Sequence, residues 1–255
     1  MVDLIVVDLG HTTGRFTGDS TSAVLRALSP LTSVAPHRIV ETVRCVLHRA
    51  PELTDELAAQ VCQRLLIPPS EFPTSWERGY APYEYTGRAL DELCRIAPVV
   101  ALSNMAVTGG PERVAAVKAA HRGDLVAVYT SYQIGGAKPE PWLWQAIAAR
   151  HGADIERVVH VGDRLDADVY GALVAGARVV HLTHGDGLAV YPKNSEGRVF
   201  AARDPGRARM GDVGRYGGHG RGSEALRRAA EETAGELEGF LRCARWSPWT
   251  RPPTR

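Results

Sequence analysis

The sequence predicts an α/β fold: an open parallel sheet with helices on both faces and a block of helices inserted near its start. Three observations carry this. Short continuous apolar runs recur along the chain, and helical patterns separate the later ones. Roughly ninety residues, far too many for a simple loop, divide the first run from the second. Strands that alternate with helices pair in parallel through crossover connections.

The runs are Leu4–Val7 ending at Asp8, Val99–Leu102 ending at Ser103-Asn104, Leu125–Tyr129, Val158–Val161 ending at Gly162-Asp163, and Arg178–Leu182. Each is nearly apolar throughout, as a strand buried on both faces must be. Helical patterns cover Pro111–Ala120, Pro141–Arg150 and Asp168–Ala175, the last closed by Gly176. Between the first two runs lie Ser20–Leu28, His37–Arg49, Thr54–Leu66 and Tyr85–Ile96. Two of these carry a clear apolar stripe: Ile39, Val43, Val46 and Leu47 in one, and Leu57, Val61 and Leu65 in another. The expected organisation is a three-layer, Rossmann-like core over 1–15 and 85–190 with a helical cap at 16–84. A mobile Gly/Arg-rich linker at 191–222 and a C-terminal helix with an irregular tail at 223–255 follow.

Composition narrows the function. Of 255 residues, 44% are hydrophobic and 23% charged, which is enough apolar material for a core. The net charge of +1 argues against a dedicated nucleic-acid or membrane-surface binder. No apolar run approaches the ~18–20 residues that span a bilayer. The opening residues are too short and too acidic a run for a signal peptide. Cys45, Cys62, Cys94 and Cys243 are far apart and read as reduced thiols. A cytoplasmic protein is expected.

Ligands of open α/β sheets bind at the C-terminal strand ends, where Asp8, Ser103 and Asp163 fall. Asp8 precedes Leu9-Gly10-His11-Thr12, a turn whose N–H groups can hold an anion. A carboxylate there can ligate Mg²⁺ or attack phosphorus, or it can simply cap the turn. Ser103 can donate to a phosphoryl oxygen, although Ser-Asn is also a helix-start signal. Lys138 is one of only three lysines beside 27 arginines, and stands in Ala137-Lys138-Pro139-Glu140-Pro141, just before a helix. That position suits neutralisation of a phosphate, or an exposed loop lysine. Asp163 and Asp168 share one strand tip, where oxygen donors select a hard cation such as Mg²⁺. Acidic residues there also complement a helix dipole. His181 and His184 lack acidic or Cys companions and read as non-ligands.

Together these segments resemble the haloacid dehalogenase-like (HAD) superfamily. Asp8-Leu9-Gly10-His11-Thr12 resembles its first motif, D-x-D-G-T, and Leu102-Ser103-Asn104 its second. Lys138-Pro139 with Trp144 resembles the third, and Gly162-Asp163 with Asp168 and Gly171-Ala172 the fourth. The resemblance covers about residues 3–185, and the insert resembles that family's helical cap. It implies a phosphatase acting on a small phosphorylated substrate. Asp8 would be the nucleophile that forms an aspartyl-phosphate, with Ser103 and Lys138 holding the phosphoryl oxygens. Leu9, Gly10, His11 and Asn104 would lie against the substrate. Mg²⁺ would bind Asp8, the Gly10 carbonyl and Asp163, with Asp168 at a metal-bound water or at Lys138.

Two features depart from the family. Its phosphatases carry an Asp general acid/base where Gly10 stands, and a Gly where His11 stands. His11 can replace that acid/base or merely face the cap. The last strand and helix expected after Gly185 are not legible. The rival readings are a catalytically weak binding or regulatory protein, favoured by Gly10, and dehalogenation, disfavoured by Asp163 and Asp168 because it needs no metal. His37, Trp76, Arg78, Tyr80 and Tyr83 are candidates to reach the pocket from the cap.

Overall fold

The computed structural model describes residues 2–16, 25–73, 79–183 and 187–191. Trp76, Arg78, His184, the first part of the Ser20–Leu28 pattern, the linker beyond 191 and the C-terminal helix lie outside these residues.

Among the described residues, eight strands run in chain order: β1 (Leu4–Val7), β2 (Gly14–Phe16), β3 (Tyr80–Pro82), β4 (Val99–Ser103), β5 (Ala127–Thr130), β6 (Val158–Gly162), β7 (Arg178–Thr183) and β8 (Gly187–Tyr191). The helices are α1 (Pro36–Thr42), α2 (Asp55–Leu65), α3 (Thr86–Cys94), α4 (Gly110–Ala120), α5 (Ser131–Ile134), α6 (Trp142–Arg150) and α7 (Tyr170–Ala175). The main sheet has the order β5-β4-β1-β6-β7-β8. Its first five strands are parallel, and β8 pairs antiparallel to β7. The five parallel strands are those expected from the apolar runs. β8 has no counterpart in that reading, because Gly187–Tyr191 is short and adjoins a Gly-rich segment.

Residues alternate across the sheet at a period of two. In β1, Ile5 and Val7 face a cluster with Ala89, Leu90 and Leu93 of α3 and Val117 of α4. Leu4 and Val6 face the other cluster, with Leu143, Trp144 and Ile147 of α6 and Ala172 and Leu173 of α7. These are the three layers. Each fully buried Val or Leu contributes roughly 1.5–3 kcal/mol, so the central strand that carries Asp8 is anchored on both faces.

The insert folds around its own core. Leu28, Ile39, Val43, Leu47, Val61 and Leu65 pack together and continue into Met105, Val107 and Tyr132 of the sheet domain. Helix α2 begins where expected: Thr54 accepts a hydrogen bond from the Leu57 N–H at 3.2 Å, and Asp55 and Glu56 fill its first turn. The His37–Arg49 pattern divides into α1 and a wider π-helical turn, Val43–Leu47. That turn swings Arg44, Cys45 and His48 onto the wall of a cavity shared with Asp8. A similar turn, Leu165–Val169, precedes α7. At the ends of the insert, β2 and β3 form a small antiparallel ribbon. Three-residue strands are too short to leave a periodic signal.

Candidate active site

Asp8 leaves the C-terminal end of β1, and its N–H donates to the Val161 carbonyl of β6 at 2.8 Å. The chain then turns tightly. The N–H groups of Thr12, Thr13 and Gly14 all donate to the Leu9 carbonyl, and that of His11 donates to Gly14. The His11 amide is therefore engaged inside the turn, and the turn's own bonds leave the N–H groups of Leu9 and Gly10 aside. Thr12 Oγ1 donates to Asp8 Oδ2 at 3.3 Å. His11 adopts φ 63°, the left-handed region that favours glycine. A Cβ on Gly10 would meet only the Phe16 ring, at 3.7 Å, an ordinary contact. Position 10 therefore has room for a side chain.

Three sequence-distant residues meet at Asp8. Lys138 Nζ donates to Asp8 Oδ1 and to Asp168 Oδ1, each at 2.5 Å. Ligand oxygens of Asp8, Asp163 and Asp168 lie within 4.8 Å of one another. Ser103, at the end of β4, lines the same cavity with its hydroxyl in no hydrogen bond among the described residues. Lys138 is held by its backbone as well. Its N–H donates to Asn104 Oδ1 at 2.8 Å, and its carbonyl accepts from Asn104 Nδ2 at 2.9 Å. Asn104, expected against the substrate, thus has its amide engaged in clamping the lysine.

Asp168 is fully buried. It accepts from Lys138 and from His160 Nε2 (3.1 Å) on Oδ1, and from the Arg164 N–H (3.0 Å) on Oδ2. Both oxygens are engaged, so the geometry favours the anchoring of Lys138 among the two roles considered for this residue. Its close approach requires Gly162, where a Cβ would lie 2.5 Å from the Asp168 carboxyl carbon. His160 escapes sequence reading, since one histidine inside an apolar strand looks like core. It stacks edge-on against Trp144 at 5.2 Å. The residue pattern Lys138…Trp144…Asp168 was visible, but the histidine joining them was not.

Electrostatics follow from these partners. Burial pushes the Asp8 carboxyl up to about 7; Lys138 opposes this, while Asp168 and Asp163 add to it. Burial would raise Asp168 too, but Lys138 and His160 overcome it and hold Asp168 below the usual carboxylate range. The difference matches the donors: Asp168 has three, whereas Asp8 shares Lys138 and has one long bond from Thr12. Burial opposes the charge on Lys138, but Asp168 and Asp8 outweigh it and hold its pKa above the ordinary value. Burial lowers His160, against the pull of Asp168, and keeps it neutral.

The donor set suits a hard divalent cation. It consists of carboxylate oxygens at one strand tip, two of them on consecutive ends of the neighbouring strands β1 and β6. His181, by contrast, points Nε2 at the Asp163 carbonyl at 3.0 Å and belongs to the support of that loop.

The cavity, about 660 Å³, is also lined by His11, Arg15 and Phe16, by Arg44, His48 and Arg49 of the insert, and by Arg113 of α4. Tyr80 lies behind it, donating to Thr13 Oγ1 at 2.9 Å, and Tyr83 takes a hydrogen bond from Arg15 Nε. His37 does not line the cavity.

Part of the sequence, and the fold, resemble known proteins. The HAD-hydrolase-like family matches residues 136–191, which hold Lys138, Asp163 and Asp168. A glyceraldehyde 3-phosphate phosphatase from Methanopyrus kandleri is 39% identical over 69 residues, 27% of this chain. The match spans about 30% of that relative's length. A HAD family enzyme from Bacteroides thetaiotaomicron superposes with a TM-score of 0.53 at 15% identity, covering 72% of this chain and 95% of that one. Another structure of that enzyme, at TM-score 0.50 and 16% identity over 73% and 96% of the chains, was solved with magnesium and inorganic phosphate. A 2-haloacid dehalogenase from Pseudomonas syringae pv. Tomato gives a TM-score of 0.50 at 17% identity over 70% and 85% of the chains. These structures share the fold. The chain is thus similar to the haloacid dehalogenase-like hydrolases, in sequence over residues 136–191 and in fold over about 70% of its length.

Proposed function

We propose that the protein is a Mg²⁺-dependent phosphatase of a small phosphate ester, acting through an aspartyl-phosphate on Asp8. The observation that carries this is Lys138, buried and held at 2.5 Å from both Asp8 and Asp168 at the C-terminal edge of the sheet. The phosphatase name of the Methanopyrus kandleri relative supports the substrate class.

In this reading Asp8 attacks phosphorus, and the ester oxygen leaves as the P–O bond breaks. Lys138 and the Ser103 hydroxyl hold the equatorial oxygens, joined by the N–H groups of Leu9 and Gly10. Asp168, supported by His160, keeps Lys138 charged and in place. Asn104 fixes the lysine's backbone. Asp8, the Gly10 carbonyl and Asp163 would hold Mg²⁺, which supplies charge neutralisation for the transferring phosphoryl group. Water then hydrolyses the acyl phosphate. Gly10 cannot transfer a proton to the leaving group, so the enzyme is slow on esters of poor leaving groups, by ~10²–10⁴. The segment 16–84 acts as a cap on a core formed by 1–15 and 85–190. It selects the substrate and excludes water. The setting proposed is the cytoplasm.

One observation favours the rival reading of a binding protein: the space at position 10 where the family's phosphatases carry their general acid. Hydrolysis of an aryl phosphate with and without Mg²⁺ separates the two. The phosphatase reading expects metal-dependent turnover, reduced ~10⁴-fold or more by Asp8→Asn. Identical background in the two proteins favours binding.

A further inference from the structure

The cavity extends well past the reacting carboxylate. Its volume of about 660 Å³ lies in the ~300–1,000 Å³ range that encloses whole small molecules, and one phosphoryl group leaves much of it open. Its far wall is basic. Arg44 projects from the Val43–Leu47 turn and has no carboxylate at ion-pair distance among the described residues. Arg49 is paired with Glu140. Arg113, buried in α4, lays its guanidinium over the Phe16 ring at 5.6 Å.

His48 reports how these groups converge. Burial first, and then Arg44, Arg113 and Arg49, lower its pKa to about 4. Guanidiniums on two separate elements, the insert and α4, line one cavity together with this ring. The Glu140 carboxylate meets Arg49, whereas Arg44 has no carboxylate at ion-pair distance among the described residues and faces the cavity as a charge that an entering anion would match. A planar guanidinium is the donor that fits a carboxylate or phosphate oxygen pair.

We propose that Arg44 and Arg113, with His48 as a further polar partner, form a second anion subsite for the end of the substrate remote from Asp8. The substrates favoured are then small phosphate esters that carry another anionic group, a carboxylate or a second phosphoryl group. This rests on the phosphatase reading for the reacting end only.

Three esters of similar size test it under Mg²⁺: ethyl phosphate, carboxymethyl phosphate and ethylene bisphosphate. The expected result is that kcat/KM for at least one of the doubly anionic esters exceeds that of ethyl phosphate by about 10–100-fold. Arg44→Gln, an exposed position, collapses that ratio. Whichever of the two esters gains identifies the second group as carboxylate or phosphoryl. Equal values for all three esters, or a ratio that survives Arg44→Gln, overturns the subsite and leaves the phosphatase standing. Absence of turnover with every ester, and with the aryl phosphate, overturns the phosphatase instead. The subsite is then decided by calorimetry on the wild-type protein with Mg²⁺. Phosphonoacetate binding about 10-fold tighter than methylphosphonate supports it, and equal binding refutes it.

Discussion

The two walls of the cavity are built on different plans. On the sheet side, Asp8, Lys138 and Asp168 each have at least two fixed partners, and all three are buried. Their backbones leave strand ends or are clamped, as Asn104 clamps Lys138. On the insert side, Arg44 and Arg49 are exposed and carried by a helical turn, and only Arg49 is paired in the described residues. Chemistry needs charges that do not reorganise during the reaction, whereas recognition tolerates side chains that adjust. The contrast predicts that substitutions on the two sides fail differently.

Among substitutions that weigh one wall against the other, the largest effect is expected for Lys138→Met. It leaves Asp8 and Asp168 buried beside each other with no cation, which costs about 3–5 kcal/mol in unfolding free energy. Turnover falls by ~10²–10³ as well. Denaturant unfolding and single-substrate kinetics measure the two losses. If both are small, the sheet-side wall is not the rigid half of the site.

Gly10→Asp runs the other way. The added Cβ meets only the Phe16 ring at 3.7 Å, so the fold accommodates it. A restored acid/base should raise kcat on alkyl phosphates by ~10² or more. On an aryl phosphate, whose leaving group needs no proton, the gain should be small. A variant that folds but gains nothing on either substrate shows that another group, His11 foremost, already supplies the proton.

The smallest effect belongs to Thr54→Ala, which removes the N-cap of α2 at about 1 kcal/mol. Because α2 packs in the insert core and not against Asp8, KM should rise modestly with kcat unchanged. A drop in kcat of the same size would mean that the insert shapes the reaction centre too.

The two walls also differ in how far the sequence reveals them. Asp8, Ser103 and Asp163 were legible because buried parallel strands read as unbroken apolar runs, and the residue after each run falls at the ligand-binding edge. Lys138 stood out by rarity. The supporting groups did not stand out. His160 looks like core, and the amide of Asn104 serves the lysine backbone, a long-range contact that no local pattern encodes. The subsite was invisible for a related reason. Arg44 and Arg113 sit in helical patterns where arginine ordinarily marks a solvated face, and only the packing of the insert on α4 brings them together. The β2–β3 ribbon was too short for periodicity to show.

The central claim is that Asp8 becomes covalently phosphorylated under the control of Lys138 and a divalent ion. Acid quench of the enzyme during turnover of an aryl phosphate, followed by peptide mass spectrometry, tests it directly. The account predicts a phosphoryl group on the peptide holding Asp8, dependent on Mg²⁺ and lost in Asp8→Asn. Turnover at full rate in Asp8→Asn, or an adduct on a different residue, would contradict it.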